Sequence, residues 1–186
     1  MPIITGYKVF GYSKNGEIVI ENTEQCLCSK CGKGILKYRG QVRRHIRLEG
    51  TGEKVWYLIP LGKCDNPSCG ATQRMLPDFI PPYKHYETQA ISDALDDDIT
   101  KDNVDSPSEQ TMARWKTWLE INRNRIEGFF RSVGYKVLGY STGLLFSTES
   151  ILEKLRKDTG SWLEIVFRFV YNSGNHLEPF YPHRQL

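Results

Sequence analysis

The 186-residue sequence has no apolar run near the roughly 20 residues that a membrane-spanning helix needs, so no membrane association is expected. Residues 1–10 lack the apolar core with basic flanks that marks a secretory signal, which points to a cytoplasmic protein. The composition also lacks the marks of disorder: 39% of residues are hydrophobic, 25% are charged, and the net charge is only +3. Cysteine is scarce, with five residues, and four of them fall into two short-spaced pairs.

Those pairs are Cys28-Ser29-Lys30-Cys31-Gly32 and, after 32 intervening residues, Cys64-Asp65-Asn66-Pro67-Ser68-Cys69-Gly70. A tight turn brings both sulfurs of a pair onto one metal, and its backbone N–H groups can point at the thiolates. Glycine after the second cysteine permits the positive φ that such a turn often needs. In a chain with no export signal, this pattern favours a metal over disulfides, and Cys28, Cys31, Cys64 and Cys69 are expected to hold a structural Zn2+. Cys26 could stand in for Cys28, but the Cys28-x-x-Cys31-Gly32 spacing leaves it a bystander.

Charge is unevenly distributed. Residues 26–91 carry 11 Lys and Arg against 5 Asp and Glu, a balance of +6. Residues 92–110 carry 1 against 7, or −6, and residues 111–136 carry 6 against 2, or +4. Two basic segments joined by an acidic connector fit a polyanion-binding surface in two parts.

Along the chain, Asn15-Gly16 between two β-branched and aromatic runs predicts a hairpin over residues 3–21. Residues 35–48 and 55–61 read as two strands around a glycine-rich turn, the body of a zinc ribbon. Strand alternation places Val42, Arg44, Ile46 and Leu48 on one side and Arg43, His45 and Arg47 on the other. Arg39, Arg43, His45 and Arg47 form a row suited to phosphates, with Lys33, Lys37 and Lys63 nearby, and Arg44 joins the expected phosphate grip. Tyr38 and Tyr57 could stack on bases, although aromatics on a small sheet are more often core. His45 is a possible metal ligand, but a mid-strand position argues against it.

Three prolines at positions 77, 81 and 82 make the following segment an extended connector. A helix is expected from near Tyr86 with Ala90, Ile91, Ala94 and Leu95 on one face, ending at Asp96-Asp97-Asp98. Ser106-Pro107-Ser108-Glu109 reads as a capping box with proline at the first helical position. It opens an amphipathic helix of about 25 residues through Met112, Trp115, Leu119, Ile126, Phe129 and Val133. Trp115 and Trp118 read as core. Ser108, Gln110, Thr111 and Arg114 are types that contact bases or phosphates when a helix N-terminus enters a major groove, so a helix-turn-helix is expected. The connector of residues 96–105 is long for that motif and leaves room for a short helix near residues 99–104. Residues 135–140 read as strand or loop, residues 148–158 as helix, and Ser161-Trp162-Leu163-Glu164 as a second capping box. The helix it opens is apolar nearly all round, so it is buried or meets a partner. The tail from Pro179 looks irregular.

The order of Cys-x-x-Cys-Gly, basic hairpin, second cysteine pair and the Leu-Pro-Asp-Phe-x-x-Pro-Tyr-Lys-His-Tyr run of residues 76–86 resembles an uncharacterised bacterial family. That family is of transposase-like zinc-ribbon and helix-turn-helix proteins associated with mobile elements. Residues 106–118, with their Arg114-Trp115-Lys116 segment, and residues 172–177 are similar to it as well. The second pair here is Cys-x4-Cys where the family pattern has two intervening residues. The resemblance implies DNA-associated mobile-element biology and names no activity.

The expected fold is α+β, with a β-hairpin and zinc ribbon in residues 1–85 and a mainly helical part in residues 86–186. The expected function is that of a non-catalytic, zinc-dependent DNA-binding protein linked to transposition, with double-stranded DNA as partner. One alternative is a metal-dependent nuclease or transposase using Asp93, Asp96, Asp97, Asp98, Asp102 and Asp105 to hold magnesium. Consecutive carboxylates in a connector are more ordinarily a solvated linker, so an enzyme is the weaker expectation. Another is a module that binds RNA, or a protein partner through the C-terminal helices.

Overall fold

The computed structural model describes residues 1–48, 50–99 and 107–179. Among the described residues seven strands come first: β1 (Ile3–Ile4), β2 (Tyr7–Tyr12), β3 (Ile18–Asn22), β4 (Leu36–Arg47), β5 (Lys54–Cys64), β6 (Thr72–Arg74) and β7 (Leu76–Pro77). Five helices follow: α1 (Thr88–Leu95), α2 (Glu109–Val137), α3 (Thr142–Phe146), α4 (Ile151–Asp158) and α5 (Trp162–Asn172). The protein is therefore α+β, with strands before helices.

β2 and β3 form the expected hairpin, with Gly16 at φ 83° in its turn and Ser13 N–H donating to Glu17 O at 2.7 Å. β3 then runs parallel to β5, pairing Ile18 with Tyr57 and Val19 with Leu58. β4 and β5 form a long antiparallel hairpin from Leu36 opposite Cys64 to Arg47 opposite Lys54, with one slip between Tyr38 and Gly40. The main sheet has the order β2-β3-β5-β4, and β6 also pairs with β5. β4 is an edge strand whose last residues are covered, since Arg47 N–H donates to His85 O at 2.7 Å and Glu87 N–H to Arg47 O at 3.1 Å.

α1 buries Ala90, Ile91, Ala94 and Leu95, the face read from the sequence, and ends at Asp96. α2 buries Met112, Trp115, Trp118, Leu119, Ile126 and Phe130. The step of four from Ile126 puts Phe130 rather than Phe129 at the fully buried position. The cap lies two residues beyond the expected one: Ser108 is the N-cap, its hydroxyl accepting from Thr111 N–H, and Glu109 is the first helical residue. α2 continues to Val137, so residues 135–137, read as strand or loop, are helical. α4 opens at a Ser150 cap, and α5 starts after Ser161 without the side-chain bond of a capping box. Within the expected short helix of residues 99–104, all but Ile99 lie outside the described residues, as does the tail after Pro179.

The core crosses the expected boundary at residue 85. Ile3, Ile20, Ile46, Ile59 and Leu76 from the strands share one cluster with Ile91, Trp118, Ile126, Trp162 and Val166 from the helices. The two halves are also tied end to end. Asn172, at the end of α5, accepts from Ile3 N–H at 2.7 Å and donates to Ile3 O at 2.8 Å, which mimics a strand partner for β1. Among the described residues no helix is long and apolar enough to cross a membrane.

Candidate metal centre and basic face

The β4–β5 hairpin puts its open end where the cysteine pairs are. Cys28 and Cys31 lie in the turn before β4, Cys64 closes β5 opposite Leu36, and Cys69 lies in the turn leading to β6. The four ligand atoms all lie within 4.8 Å of one another, and the group could hold a metal ion. Cys28 Sγ is 3.8 Å from Cys69 Sγ, and Cys31 Sγ is 3.7 Å from Cys64 Sγ. Those separations are far beyond the roughly 2.05 Å of a disulfide. Gly32 and Gly70, which follow the second cysteine of each pair, have φ of 64° and 54°, the left-handed turn expected of them. The Cys-x4-Cys spacing still closes the second turn, through Cys69 N–H and Gly70 N–H donating to Asn66 O at 2.9 and 3.0 Å.

The sulfurs are dressed by donors from outside the pairs. Gly34 N–H lies 3.4 Å from Cys31 Sγ, and Gln73 Nε2 lies 3.4 Å from Cys28 Sγ. The Gly34 and Lys33 amides hold the Cys31 thiol down at about 6, whereas burial pushes Cys64 up to about 12. A cation among the sulfurs would offset the cost of a buried Cys64 thiolate. Gly34 is required sterically, because a Cβ there would overlap Cys64 Sγ and come within 3.0 Å of Asn66 N. Gly34→Ala is expected to cost about 1–3 kcal/mol, the range for overpacking a tight site. Thermal melting, with chelator titration on the same sample, measures the loss.

Cys26 is buried outside the four-sulfur group, with Asn22 Oδ1 3.9 Å from its sulfur, and burial raises its thiol to about 11. His45 is likewise outside the group. Its ring stacks on His85 at 4.3 Å and meets the edge of Trp56 at 4.9 Å.

Strand pairing sets the basic row. Residues opposite each other share a face, so Gln41, Arg43, His45 and Arg47 lie with Pro60, Leu58, Trp56 and Lys54 on the outer side of the sheet. Arg43 and Arg47 are exposed on this side, Arg39 is exposed at the slip, and Lys37, opposite Lys63, is exposed on the alternation that carries Leu61 and Ile59. Arg43 is held by Glu17 at 2.9 Å and lies 4.1 Å from the centroid of Trp56, while Lys54 lies 4.7 Å from the same ring. Arg47 donates to Gly52 O at 3.1 Å. Arg44 departs from the row it was expected to join. Alternation turns it to the core side, where its Nη2 donates to Pro81 O at 2.5 Å and Lys84 O at 2.7 Å, fastening the proline-rich connector. The two tyrosines also part: Tyr38 is 70% exposed beside Lys37 and Arg39, whereas Tyr57 is 6% exposed and packs its ring on Phe79.

At the start of α2, Gln110 and Arg114 are exposed, while Ser108 and Thr111 are engaged with each other at 2.9 Å in the helix cap. The first turns of α2 come close to the far end of the basic row. Tyr86 bridges to Arg47 through the backbone, and its ring meets Trp115 at 5.2 Å. Trp115 and Trp118 are both 3% exposed, core residues as read.

The described part of the acidic run is tied into the fold. Asp96 accepts from the Arg156 guanidinium and from Trp162 Nε1, the latter at 2.7 Å, so one carboxylate joins α1 to α4 and α5. Asp97 pairs with Lys116, and Asp93 accepts from Gln89 at 2.6 Å. Asp102 and Asp105 lie outside the described residues.

With this geometry in place, the family comparison gives one result. Residues 28–115 match the model of a domain of unknown function, DUF6431. The match opens on the first clustered cysteine and closes on Trp115, so it takes in the four sulfurs, the basic hairpin, the connector and the first turns of α2. Neither the curated proteins nor the solved structures include a match to the chain.

Several residues of this region are not evident from sequence spacing. Gln73 reaches Cys28 Sγ and the Ser29 hydroxyl from β6, an approach that only the β5–β6 pairing creates. Arg74, Tyr83 and His85 come together beside β4 through the same tertiary path. The one local hint was the density of polar and aromatic residues around the connector prolines.

Proposed function

We propose that this chain is a non-catalytic, zinc-dependent DNA-binding protein that grips duplex phosphates with the outer face of its β4–β5 hairpin. The observation carrying the reading is the coupling of two features in one hairpin. A four-cysteine group sits at its end, and exposed Lys37, Arg39, Arg43 and Arg47 run along its length.

Zinc fits the donor set. Four thiolates in a tetrahedron with Zn–S of about 2.3 Å have edges of about 3.8 Å, and two of the sulfur pairs stand at 3.7 and 3.8 Å. All-sulfur ligation with no open position suits a structural ion, which fixes the hairpin and takes no part in chemistry. Cationic side chains along a rigid strand supply the phosphate contacts that dominate affinity for nucleic acid. Gln110 and Arg114, at the start of α2, add a second contact in the manner of a helix entering a groove. A link to transposition rests on the family resemblance. The C-terminal helices offer less to a protein partner than their sequence implied, because α5 buries Trp162, Leu163, Val166, Phe167, Val170 and Tyr171 within this chain.

The test is charge reversal away from ion-paired residues. Arg39→Glu with Arg47→Glu is expected to weaken duplex binding at least tenfold at low salt, with metal content and melting unchanged. An unchanged affinity would remove the hairpin face from the binding surface.

A further inference from the structure

A cleft of 330 Å³ opens at the edge of β4, walled by Arg43, Arg44 and His45 on one side and by Tyr83 and His85 of the connector on the other. Arg74 of β6, Trp56 of β5, Met1 and Val42 complete the wall, and no carboxylate lines the cleft. Glu17 pairs with Arg43 from the sheet face. Burial, and then the charge of Arg74, draws the Arg44 guanidinium down to about 10. A concave site with several cations and no acid in its wall is complementary to an anion.

The connector adds an aromatic platform. Tyr83 has φ 62°, a left-handed conformation that a bulky residue rarely adopts, and it is 73% exposed at the cleft rim. Strain of this kind persists only where the surroundings impose it, and it gathers at ligand clamps. Pro81 and Pro82 precede Tyr83, and Arg44 ties the carbonyls of Pro81 and Lys84, which bracket it. The conformation is therefore imposed, and the ring it presents covers little of the protein itself. Trp56 cannot serve as the platform, because Arg43 and Lys54 already lie over its ring.

The volume decides the size class. A few hundred cubic ångströms is the scale of a small-ligand pocket, enough for one nucleotide and too narrow for a base pair with its two backbones. We propose that this cleft takes a single unpaired nucleotide of a DNA strand, its phosphate between Arg74 and Arg43 and its base on the Tyr83 ring. The assignment rests on the nucleic-acid reading above and narrows it. The hairpin face holds the duplex, and the cleft holds a nucleotide that has left it, at a frayed end, an overhang or a junction. Base–aromatic stacking is tolerant of sequence, so the preference is for single-stranded character rather than for a particular base.

The experiment compares the metal-loaded full chain on a blunt duplex and on the same duplex with a short single-stranded overhang, by fluorescence anisotropy. The overhang is expected to bind about tenfold more tightly, the effect of one base stacked on an aromatic ring. Tyr83→Asn removes the ring and keeps a residue that tolerates positive φ, and Arg74→Gln removes a charge from an exposed position. Each variant should lose the overhang preference and keep blunt-duplex affinity, with unchanged melting. Equal binding of the two DNAs by the unaltered protein overturns the cleft assignment and leaves the hairpin reading in place. If neither DNA binds, the hairpin reading falls. Titration with a nucleoside 5′-monophosphate then decides the cleft: saturable binding lost in Arg74→Gln supports it, and no binding overturns it.

Discussion

Stripping the metal from the four-cysteine group is expected to collapse the metal end of the β4–β5 hairpin and lower the melting temperature by roughly 10–20 °C. That shift corresponds to about 5 kcal/mol for a chain of this length. Small zinc-finger peptides draw about 10–16 kcal/mol of apparent binding energy from the ion and are unfolded without it. A smaller loss is expected here because other contacts also hold the hairpin. Ile46 and Ile59 are buried in the main core, and Tyr57 packs beneath the sheet. The cluster nearest the metal is different. It contains Ile4, Leu36, Met75 and cysteines, a small apolar group, so a bound ion would supply much of the order at that end. Cys64→Ser should reproduce the chelator effect, since Cys64 is 3% exposed and its sulfur faces that of Cys31. Hydrogen exchange should rise at Leu36 and Lys63 and remain slow in α2 and α5. A melting temperature unchanged after metal release is shown by elemental analysis would contradict the structural role.

Trp162→Ala is the second large effect, about 4 kcal/mol of lost stability. Trp162 is 1% exposed and is among the largest fully buried side chains. Its indole N–H donates to Asp96 at 2.7 Å, and the Arg156 guanidinium lies 5.4 Å from its ring centroid while binding the same carboxylate. Truncation therefore opens a cavity and also leaves Asp96 short of one donor. Asp96→Ala should cost less, about 2 kcal/mol, because the carboxylate and Arg156 are partly exposed and water can compensate. The pair of variants separates two accounts of the acidic run. A structural Asp96 couples its loss to that of Trp162 in a double-mutant cycle, with an interaction energy of about 1 kcal/mol or more. Additive losses, together with magnesium-dependent protection of Asp96 in unaltered protein, would favour a metal-binding carboxylate instead.

The parts of this protein that were legible in its sequence are those set by neighbours within a few residues. Asn15-Gly16 marks its hairpin because Gly16 supplies the positive φ that the turn needs. The glycines after Cys31 and Cys69 mark positive φ because the tight turn that closes each cysteine pair demands it. The stripe from Met112 to Ile126 marks a buried helix face. Legibility failed where tertiary contacts choose between local options. Ser106 and Ser108 are both competent caps, and Ser108 caps the helix. Ser161 and Glu164 have capping-box spacing, yet Ser161 adopts φ −112° and ψ 34° and makes no side-chain cap bond. Arg44 illustrates the limit best. Its alternation with Val42 and Ile46 pointed inward while its charge pointed outward, and the carbonyls of the connector reconciled the two. A residue type alone does not report partners 37 and 40 positions away.

The same reasoning applies to the candidate site. The four clustered cysteines could be read because thiolate pairs at short spacing have few other uses. Gln73, Tyr83 and His85 could not, since β6 and the connector reach the hairpin only after the sheet has formed.

The most direct measurement of the central claim is the affinity of metal-loaded protein for duplex DNA across a salt series, with metal content determined on the same sample. Three or four phosphates neutralised by the hairpin face and the start of α2 predict a log–log slope of about −3 to −4. One metal ion per chain should accompany that binding, and chelation should abolish it. No duplex binding at low salt by protein carrying its metal would contradict the account.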